Sequence, residues 1–479
     1  MCGFITTISK KQISRSDILK ANQYISSRGP DQTNRLSFEK DGYYYDSIHN
    51  LLDISNSFIS QPIFSDLKNL LLFNGEIYHP KNKNPDTLNL YEELINNNLS
   101  SYLKNARGEY AICTINIENK LINIFTDLIG TKPIYFGIRK DSICISSYKS
   151  AISHLLYNEI KEVPPNKKIE IKYSYLENPE ICYEDFFTLD LNQFNSTYDA
   201  WIEAFKLSVS ERSVHFKSKI CVPLSSGYDS GAICCALNNL KIPYSTVTIG
   251  NSESKNILKK RIEINKQFSC IKHYQIPPLT KKDAEKVSLF LNKNLGNIQY
   301  EHKDKEHKDP IMLHEDGGAL GLAILCKEMS LKGFNVIISG GGADEIISDY
   351  GFNGEKIYSH SEFGGKFPKN LETIFPWKKF YGDSQRSYLK KDEMVAGLYG
   401  IEGRYPFLDL KVIQEFLNLR SDLKNEKYKS CISEFLEREN YPFKKNAKEG
   451  FNPMKSNVSI FKKLFIKSKK LLVKISLRN

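Results

Sequence analysis

Along the first 175 residues, short β-branched and aromatic runs alternate with polar, turn-forming residues. CGFITTI (2–8), LLLFNGEIY (70–78), YAICTIN (110–116), LINIFTD (121–127) and SICISS (142–147) read as strands. Helical spacing interrupts them at SDILKANQYISS (16–27) and TLNLYEELINN (87–97), the first with a Ser-Asp start signal. This is an α+β pattern dominated by sheets. From Leu176 to Ser196 the text is irregular and reads as a connector. After residue 197 the rhythm changes. A helix over 198–214 precedes an apolar strand, KICVPL, then a loop, SSGYDS, a helix from Gly231 and a second strand, YSTVTIG. A further helix (320–333) leads to the strand NVIIS, which completes the βαβ signature of a parallel sheet. Asn294 to His314 is polar and reads as a loop.

Composition narrows this picture without changing it. The chain has 479 residues, 41% of them apolar and 26% charged, a length that suits about three domains or, equally, two large ones. No run of about 18 apolar residues indicates a membrane span. Lys10 and Lys11 interrupt any signal-peptide core, so a cytoplasmic protein is expected. Ten cysteines are scattered without CxxC pairs or His-Cys clusters, as in a protein with reduced thiols and no structural zinc. The net charge of +11 is concentrated at the end of the chain: no acidic residue follows Glu449, whereas Lys455 to Arg478 supply eight cations. A nearly neutral body argues against a nucleic-acid partner.

Chemistry-bearing residues appear at three places. Cys2 precedes Gly3 at the start of a strand, where loss of Met1 would leave one residue carrying both a thiol and an amine base. VPLSSGYDSGA sits where a strand meets a helix, and small residues there let backbone N–H groups approach phosphates at a helix N-terminus. SGGGADE (Ser339 to Glu345) follows NVIIS in the same way. Each loop alone is an ordinary tight turn. Together, each with an aspartate, they fit a nucleotide-metal site at the carboxyl ends of neighbouring strands.

Cys2-Gly3, SSRGPDQ (26–32), FNGEIY (73–78), Asp86 in DTL, RGEYA (107–111) and DLIGTKPIYF (127–136) resemble, in order, the glutamine amidotransferase domain of the glutamine-hydrolysing asparagine synthetases. SSGYDS, SGGGADE, GIEGRYPFLD (400–409) and KEGFNP (448–453) resemble that family's ATP-using domain, so the likeness spans residues 2 to 453. The fold it implies is an N-terminal-nucleophile αββα sandwich over 2–180 and an adenine nucleotide α-hydrolase-like parallel sheet over 197–455. A basic amphipathic tail over 456–479 would follow. The activity implied is amide transfer from glutamine to aspartate through an acyl-adenylate, using ATP and Mg²⁺, with ammonia passing between the sites.

The resemblance also implies roles. Cys2 would be the nucleophile, and Asn74 and Gly75 the oxyanion hole. Glu76 and Asp86 would contact glutamine. Ser225, Gly227, Asp229 and Ser230, with Ser339 and Gly340, would bind the nucleotide, and Asp229 and Asp344 the metal. Glu402 would be the catalytic glutamate of the synthetase site, and Lys448 would steady phosphate charge. Arg404, Pro406 and Asp409 would act in catalysis or merely brace their loop.

The departures matter as well. The arginine that usually grips glutamine's carboxylate is replaced in the nearest match, His49-Asn50-Leu51-Leu52. Ser226 and Tyr228 replace a glycine and a leucine of the usual phosphate loop, and Gly341 stands where a carboxylate is common. These keep two alternatives open: a different acceptor, such as a uronic acid or a peptide carboxylate, and a non-catalytic binding protein on the same fold. The tail (Phe461, Leu464, Phe465, Leu472, Ile475) is expected to dock as a basic-faced helix, with an anionic membrane or acidic partner as the alternative. A homodimer is compatible with all of this.

Overall fold

The computed structural model describes residues 2–54, 57–78, 84–213, 219–250, 254–302, 310–445 and 453. Lys448, the basic tail and residues 303–309 of the expected polar loop lie outside the described residues.

The amino-terminal strands are β1 (Gly3–Ser9), β2 (Gln32–Lys40), β3 (Tyr43–Leu51), β4 (Asn69–Tyr78), β5 (Arg107–Asn116), β6 (Leu121–Thr126), β7 (Tyr135–Arg139), β8 (Ser142–Ser146), β9 (Ile160–Glu162), β10 (Lys167–Lys172) and β11 (Glu180–Asp185). They form two sheets with orders β2-β3-β1-β8-β7-β9 and β11-β10-β6-β5-β4, antiparallel throughout. Alternate residues of both sheets meet in a closed apolar layer, with Phe4 and Ile8 on one side and Leu70, Leu72, Ala111, Cys113 and Ile122 on the other. The helices Arg15–Asn22 and Lys149–His154 cover one sheet, and Asp86–Ile95 packs on β4 of the other. The expected strands and both helices are present. The expected connector differs: it contains β11, which pairs with β10 from Lys167↔Asp185 to Lys172↔Glu180. Five of its six residues are exposed and the sixth is half-buried, so no hydrophobic alternation announces it.

The carboxy-terminal sheet is parallel. It contains β12 (Ile220–Pro223), β13 (Tyr244–Ile249), β14 (Cys270–Ile276) and β15 (Val336–Ile338). A two-residue ribbon, β16 (Gly351–Phe352) and β17 (Glu355–Lys356), intervenes before β18 (Glu402–Arg404). The order is β14-β13-β12-β15-β18. The chain builds outward from β12 in one direction and then returns to β12's other side with β15. That reversal opens a crevice at the carboxyl ends of β12 and β15, where ligands of open α/β sheets bind. Both small-residue loops leave the sheet there. In the expected polar loop, Tyr300 and His302 are buried, and Gln299 bridges Met312.

The two domains share one apolar core and a buried ionic seam. Glu393, on the helix Asp383–Gly397, accepts from Arg28 (3.0 Å) and Lys132 (2.9 Å) of the first domain and from Tyr405 (3.0 Å). In the other direction Glu109 of the first domain accepts from Arg212 (2.6 Å) and from the Tyr405 N–H (2.7 Å). Arg212 also donates to Asp409 at 3.0 Å. Each buried charge therefore has an opposite partner, which is the condition for carrying charge inside a protein.

Candidate active sites

The glutaminase-side residues gather at one end of the sandwich. Cys2 precedes β1, and its carbonyl accepts from Arg28 Nε at 2.8 Å. Burial pushes its thiol up to about 11, helped by the carboxylates of Glu402 and Glu76, while a backbone hydrogen bond from Leu52 acts the other way. A resting thiol here is therefore protonated and needs a base before it can attack. Asn74 on β4 is fully buried, and among the described residues neither its amide nitrogen nor its amide oxygen has a hydrogen-bond partner. A buried amide left open is costly unless a ligand completes it. Gly75 follows at φ +138°, and a Cβ there would lie 2.0 Å from the Glu109 carbonyl oxygen, so only glycine fits. The buried Asn74 amide is thus left open beside a position that only glycine can fill.

Asp86 opens the helix Asp86–Ile95 and accepts from the N–H groups of Ile77 (3.2 Å) and Thr87 (2.7 Å). Burial raises its carboxyl to about 6 despite those donors. His49 cannot supply the missing positive charge. Burial lowers its imidazole to about 4, and its Nε2 lies 3.1 Å from the Phe73 carbonyl oxygen, which fixes it as a neutral donor.

Glu402 belongs with this group. It starts β18, its Oε1 accepts from Arg404 Nε at 2.8 Å, and its carboxylate is near enough to raise both Cys2 and Asp86. Arg404 Nη2 lies 3.3 Å from Glu76. Burial works against the charge on Glu402, but Arg404 and Lys132 help to hold it well below the usual carboxylate range. Burial drives Glu76 the other way, well above it. The sequence reading put Glu402 in the synthetase site. The structure sets it toward the amino end of its strand, opposite Val336, away from the crevice end.

The second site forms where the β12 and β15 loops touch. Ser225 N–H and hydroxyl meet Ser230 Oγ at 3.0 and 2.8 Å, and Gly227 N–H donates to Ser225 Oγ at 3.1 Å. Arg261 braces this loop from beneath through the carbonyls of Ser225 (2.6 Å) and Gly227 (2.7 Å). Tyr228 begins a twelve-residue helix, so its N-terminus faces the crevice. A Cβ on Gly340 would lie 2.8 Å from Asp229 Cβ, a measure of how closely the loops approach. Ser339 takes a hydrogen bond from Gly341 N–H at 3.1 Å.

Asp229 and Asp344 converge on one cation. Lys429 Nζ lies 2.6 Å from Asp229 and 3.0 Å from Asp344. Its side chain is 3% exposed and those of the aspartates 23% and 17%, so the carboxylates look outward over a buried ammonium. Among the described residues no group of three or more His, Cys, Asp or Glu is assembled for a metal. Two neighbouring carboxylates are nevertheless the hard oxygen donors that a divalent cation such as Mg²⁺ takes. Sequence reasoning missed Lys429: it stands in a short YKS stretch at φ +48°, with no motif around it. The ionic seam was also missed, although Arg28, Glu109 and Lys132 lie inside the quoted motifs. Pro406 and Asp409 brace. The Pro406 carbonyl accepts from Ser208, and Asp409 caps the helix Leu410–Asn418.

A glutamine amidotransferase domain model matches residues 1–200. A putative glutamine-hydrolysing asparagine synthetase of Methanocaldococcus jannaschii is 23% identical over 89% of this chain and 83% of its own length. The glutamine-hydrolysing asparagine synthetase of Gallus gallus is 21% identical over 92% and 81%. Over most of its length the chain is thus similar to glutamine-hydrolysing asparagine synthetases. Among solved structures, an allosteric regulatory enzyme of purine biosynthesis matches 57% of this chain and 80% of its own, with a TM-score of 0.33 and 11% identity. A glutamine phosphoribosylpyrophosphate amidotransferase from B. subtilis matches 71% and 75%, with a TM-score of 0.31 and 10% identity. Among the described residues no helix is long and apolar enough to cross a membrane.

Proposed function

We propose that this chain is a glutamine-dependent asparagine synthetase, converting aspartate, ATP and glutamine to asparagine, AMP, pyrophosphate and glutamate. The supporting observation is the three-residue strand β18. Its side chains Glu402 and Arg404 reach the Cys2 and Glu76 group, while the Arg404 carbonyl accepts the Ser339 N–H of the second loop at 2.8 Å. At about 3.3 Å per residue, one short strand joins both candidate centres.

On this reading, Met1 is removed and the freed α-amino group of Cys2 takes the thiol proton, which its raised pKa otherwise retains. The thiolate attacks the glutamine amide, and Asn74 and Gly75 donate to the oxygen that becomes negative. The Asp86 carboxylate receives glutamine's ammonium. Ammonia then crosses to the second site, where an aspartate carboxylate has displaced pyrophosphate from ATP. Ser225, Gly227, Ser230, Ser339 and Gly340 line the phosphates, with the helix N-terminus at Tyr228 adding a favourable dipole. Asp229 and Asp344 would hold Mg²⁺, which would supply charge neutralisation at the pyrophosphate leaving group. Lys429 keeps the two carboxylates close before the metal arrives. Lys448, outside the described residues, is the lysine that the resemblance assigns to steadying phosphate charge.

Supplying L-aspartate, ATP and Mg²⁺ with glutamine or ammonium should yield asparagine and AMP from either nitrogen source. Release of ADP and phosphate, or no asparagine from either source, would rule the reading out.

A further inference from the structure

Amide formation needs a group that takes a proton from nitrogen as the new bond forms. Glu402 is tied to Arg404 and sits with the Cys2 group. Gly341, in the loop beneath the proposed acyl-adenylate, has no side chain. A Cβ placed there would meet Ser339 Oγ at 3.4 Å, the Tyr405 ring at 3.5 Å and Asp392 Oδ2 at 3.6 Å, all ordinary contacts. A carboxylate therefore already borders the space that Gly341 leaves open. It comes from another element, the helix Asp383–Gly397.

Several contacts fix Asp392 in that position. Its Oδ2 accepts from Ser339 Oγ at 3.1 Å, and the same hydroxyl oxygen receives Gly341 N–H. Lys391 Nζ lies 3.6 Å from its other oxygen. The side chain is 18% exposed, so it is sheltered yet open on one side. Two contacts, Asp392 to Ser339 and Gly340 to Asp229, bridge it to the phosphate loop. Resting on the amide-forming reading above, we infer that Asp392 is the proton acceptor of the ammonia step, filling the role of the side chain that Gly341 lacks.

The step balances as follows. The ammonia lone pair attacks the acyl carbon, and the carbon–oxygen bond to the phosphate breaks, its electron pair leaving with AMP. The nitrogen, positively charged after attack, gives one proton to an Asp392 oxygen, which later releases it to water. Burial raises the Asp392 carboxyl above its ordinary value, against Lys391 and Ser339, which strengthens it as a base.

The test uses the full chain with L-aspartate, ATP, Mg²⁺ and ammonium, and reads two quantities: aspartate-dependent exchange of pyrophosphate into ATP, and asparagine. Asp392→Asn keeps an oxygen for Ser339 but loses the base. Exchange should stay within about twofold while asparagine falls by about 100-fold or more, the usual worth of a general base. Adding Gly341→Glu to that variant should restore at least about a tenth of the lost rate, because a carboxylate again reaches the same space. Asparagine formed by Asp392→Asn at the unaltered rate would overturn the assignment. Exchange and asparagine lost in parallel would overturn it too, since Asp392 would then only hold the loop. Silence of the unaltered protein in both assays would overturn the amide-forming reading, and this inference with it.

Discussion

Arg404 ends the parallel sheet and Glu76 belongs to the amino-terminal sandwich, yet their side chains face each other at 3.3 Å. Arg404 also holds Glu402, so one guanidinium offsets two carboxyl groups that would otherwise repel beside Cys2. Arg404→Met should lower glutamine-dependent synthesis and ammonia-dependent synthesis together, and reduce the thermal unfolding temperature by several degrees. Breaking a buried pair typically costs about 3–5 kcal/mol. An effect confined to glutamine hydrolysis would show that the pair serves one site alone.

Cys2 and Asn74 should separate nucleophile from oxyanion stabilisation. Cys2→Ala should abolish glutamine hydrolysis and leave asparagine formation from ammonium. Asn74→Ala should keep the nucleophile but lower kcat for glutamine by about 10²–10³-fold. Because the Asn74 amide has no partner to lose among the described residues, its removal should leave the unfolding temperature nearly unchanged. A large drop in stability would assign it a packing role instead.

Asp86 gives a pH signature. Its carboxyl, raised to about 6 by burial, is ionised above that pH and neutral below it. Only the ionised form attracts glutamine's ammonium. The KM for glutamine should therefore rise as pH falls through about 6, and Asp86→Asn should hold KM high and flat across the same range. The linked stability runs the same way in protons: the native state takes up its proton at higher pH than the unfolded chain, so the group favours folding more as pH falls from about 6 toward 4. Measuring KM from pH 5 to 8 for both proteins decides the matter.

Lys429 and Mg²⁺ should substitute for each other in stability. With the ammonium removed, as in Lys429→Met, Asp229 and Asp344 face each other without a cation, and the protein should unfold at a lower temperature in metal-free buffer. Millimolar Mg²⁺ should restore much of that loss, and more in Lys429→Met than in the unaltered chain. Asp229→Asn and Asp344→Asn should each stop aspartate-dependent pyrophosphate release while sparing glutamine hydrolysis. Metal-independent melting of Lys429→Met would separate these aspartates from Mg²⁺.

The sequence made the regular elements and both loops legible, because apolar periodicity and small residues at strand ends are local signals. β12, β13, β15 and the strands around Asn74 lie where their β-branched runs put them, whereas β14 went unread. The features that escaped are those that depend on distant pairing. β11 carries no alternation and is a strand only because β10 offers an edge. Lys429 meets Asp229 across 200 positions and Asp344 across 85. Glu402 was found as a site residue, but its contact with Arg404 and its nearness to Cys2 were not legible, since a motif fixes its strand and not which way its side chain turns. Asp392 sits in a helix whose charged spacing looks like an ordinary solvated face.

The ionic seam limits how this molecule can be recombined. Arg28, Lys132 and Glu109 are neutralised by Glu393, Arg212 and the Tyr405 backbone of the other half. Cutting the chain near residue 197 would strand those charges on two apolar faces, so neither fragment inherits a finished surface. A chimera that joins this amidotransferase half to a relative's synthetase half would work only if it carried the complementary partners too. The two halves form an exchangeable module only as a matched set, and variation on one side of the seam is constrained by what stands opposite.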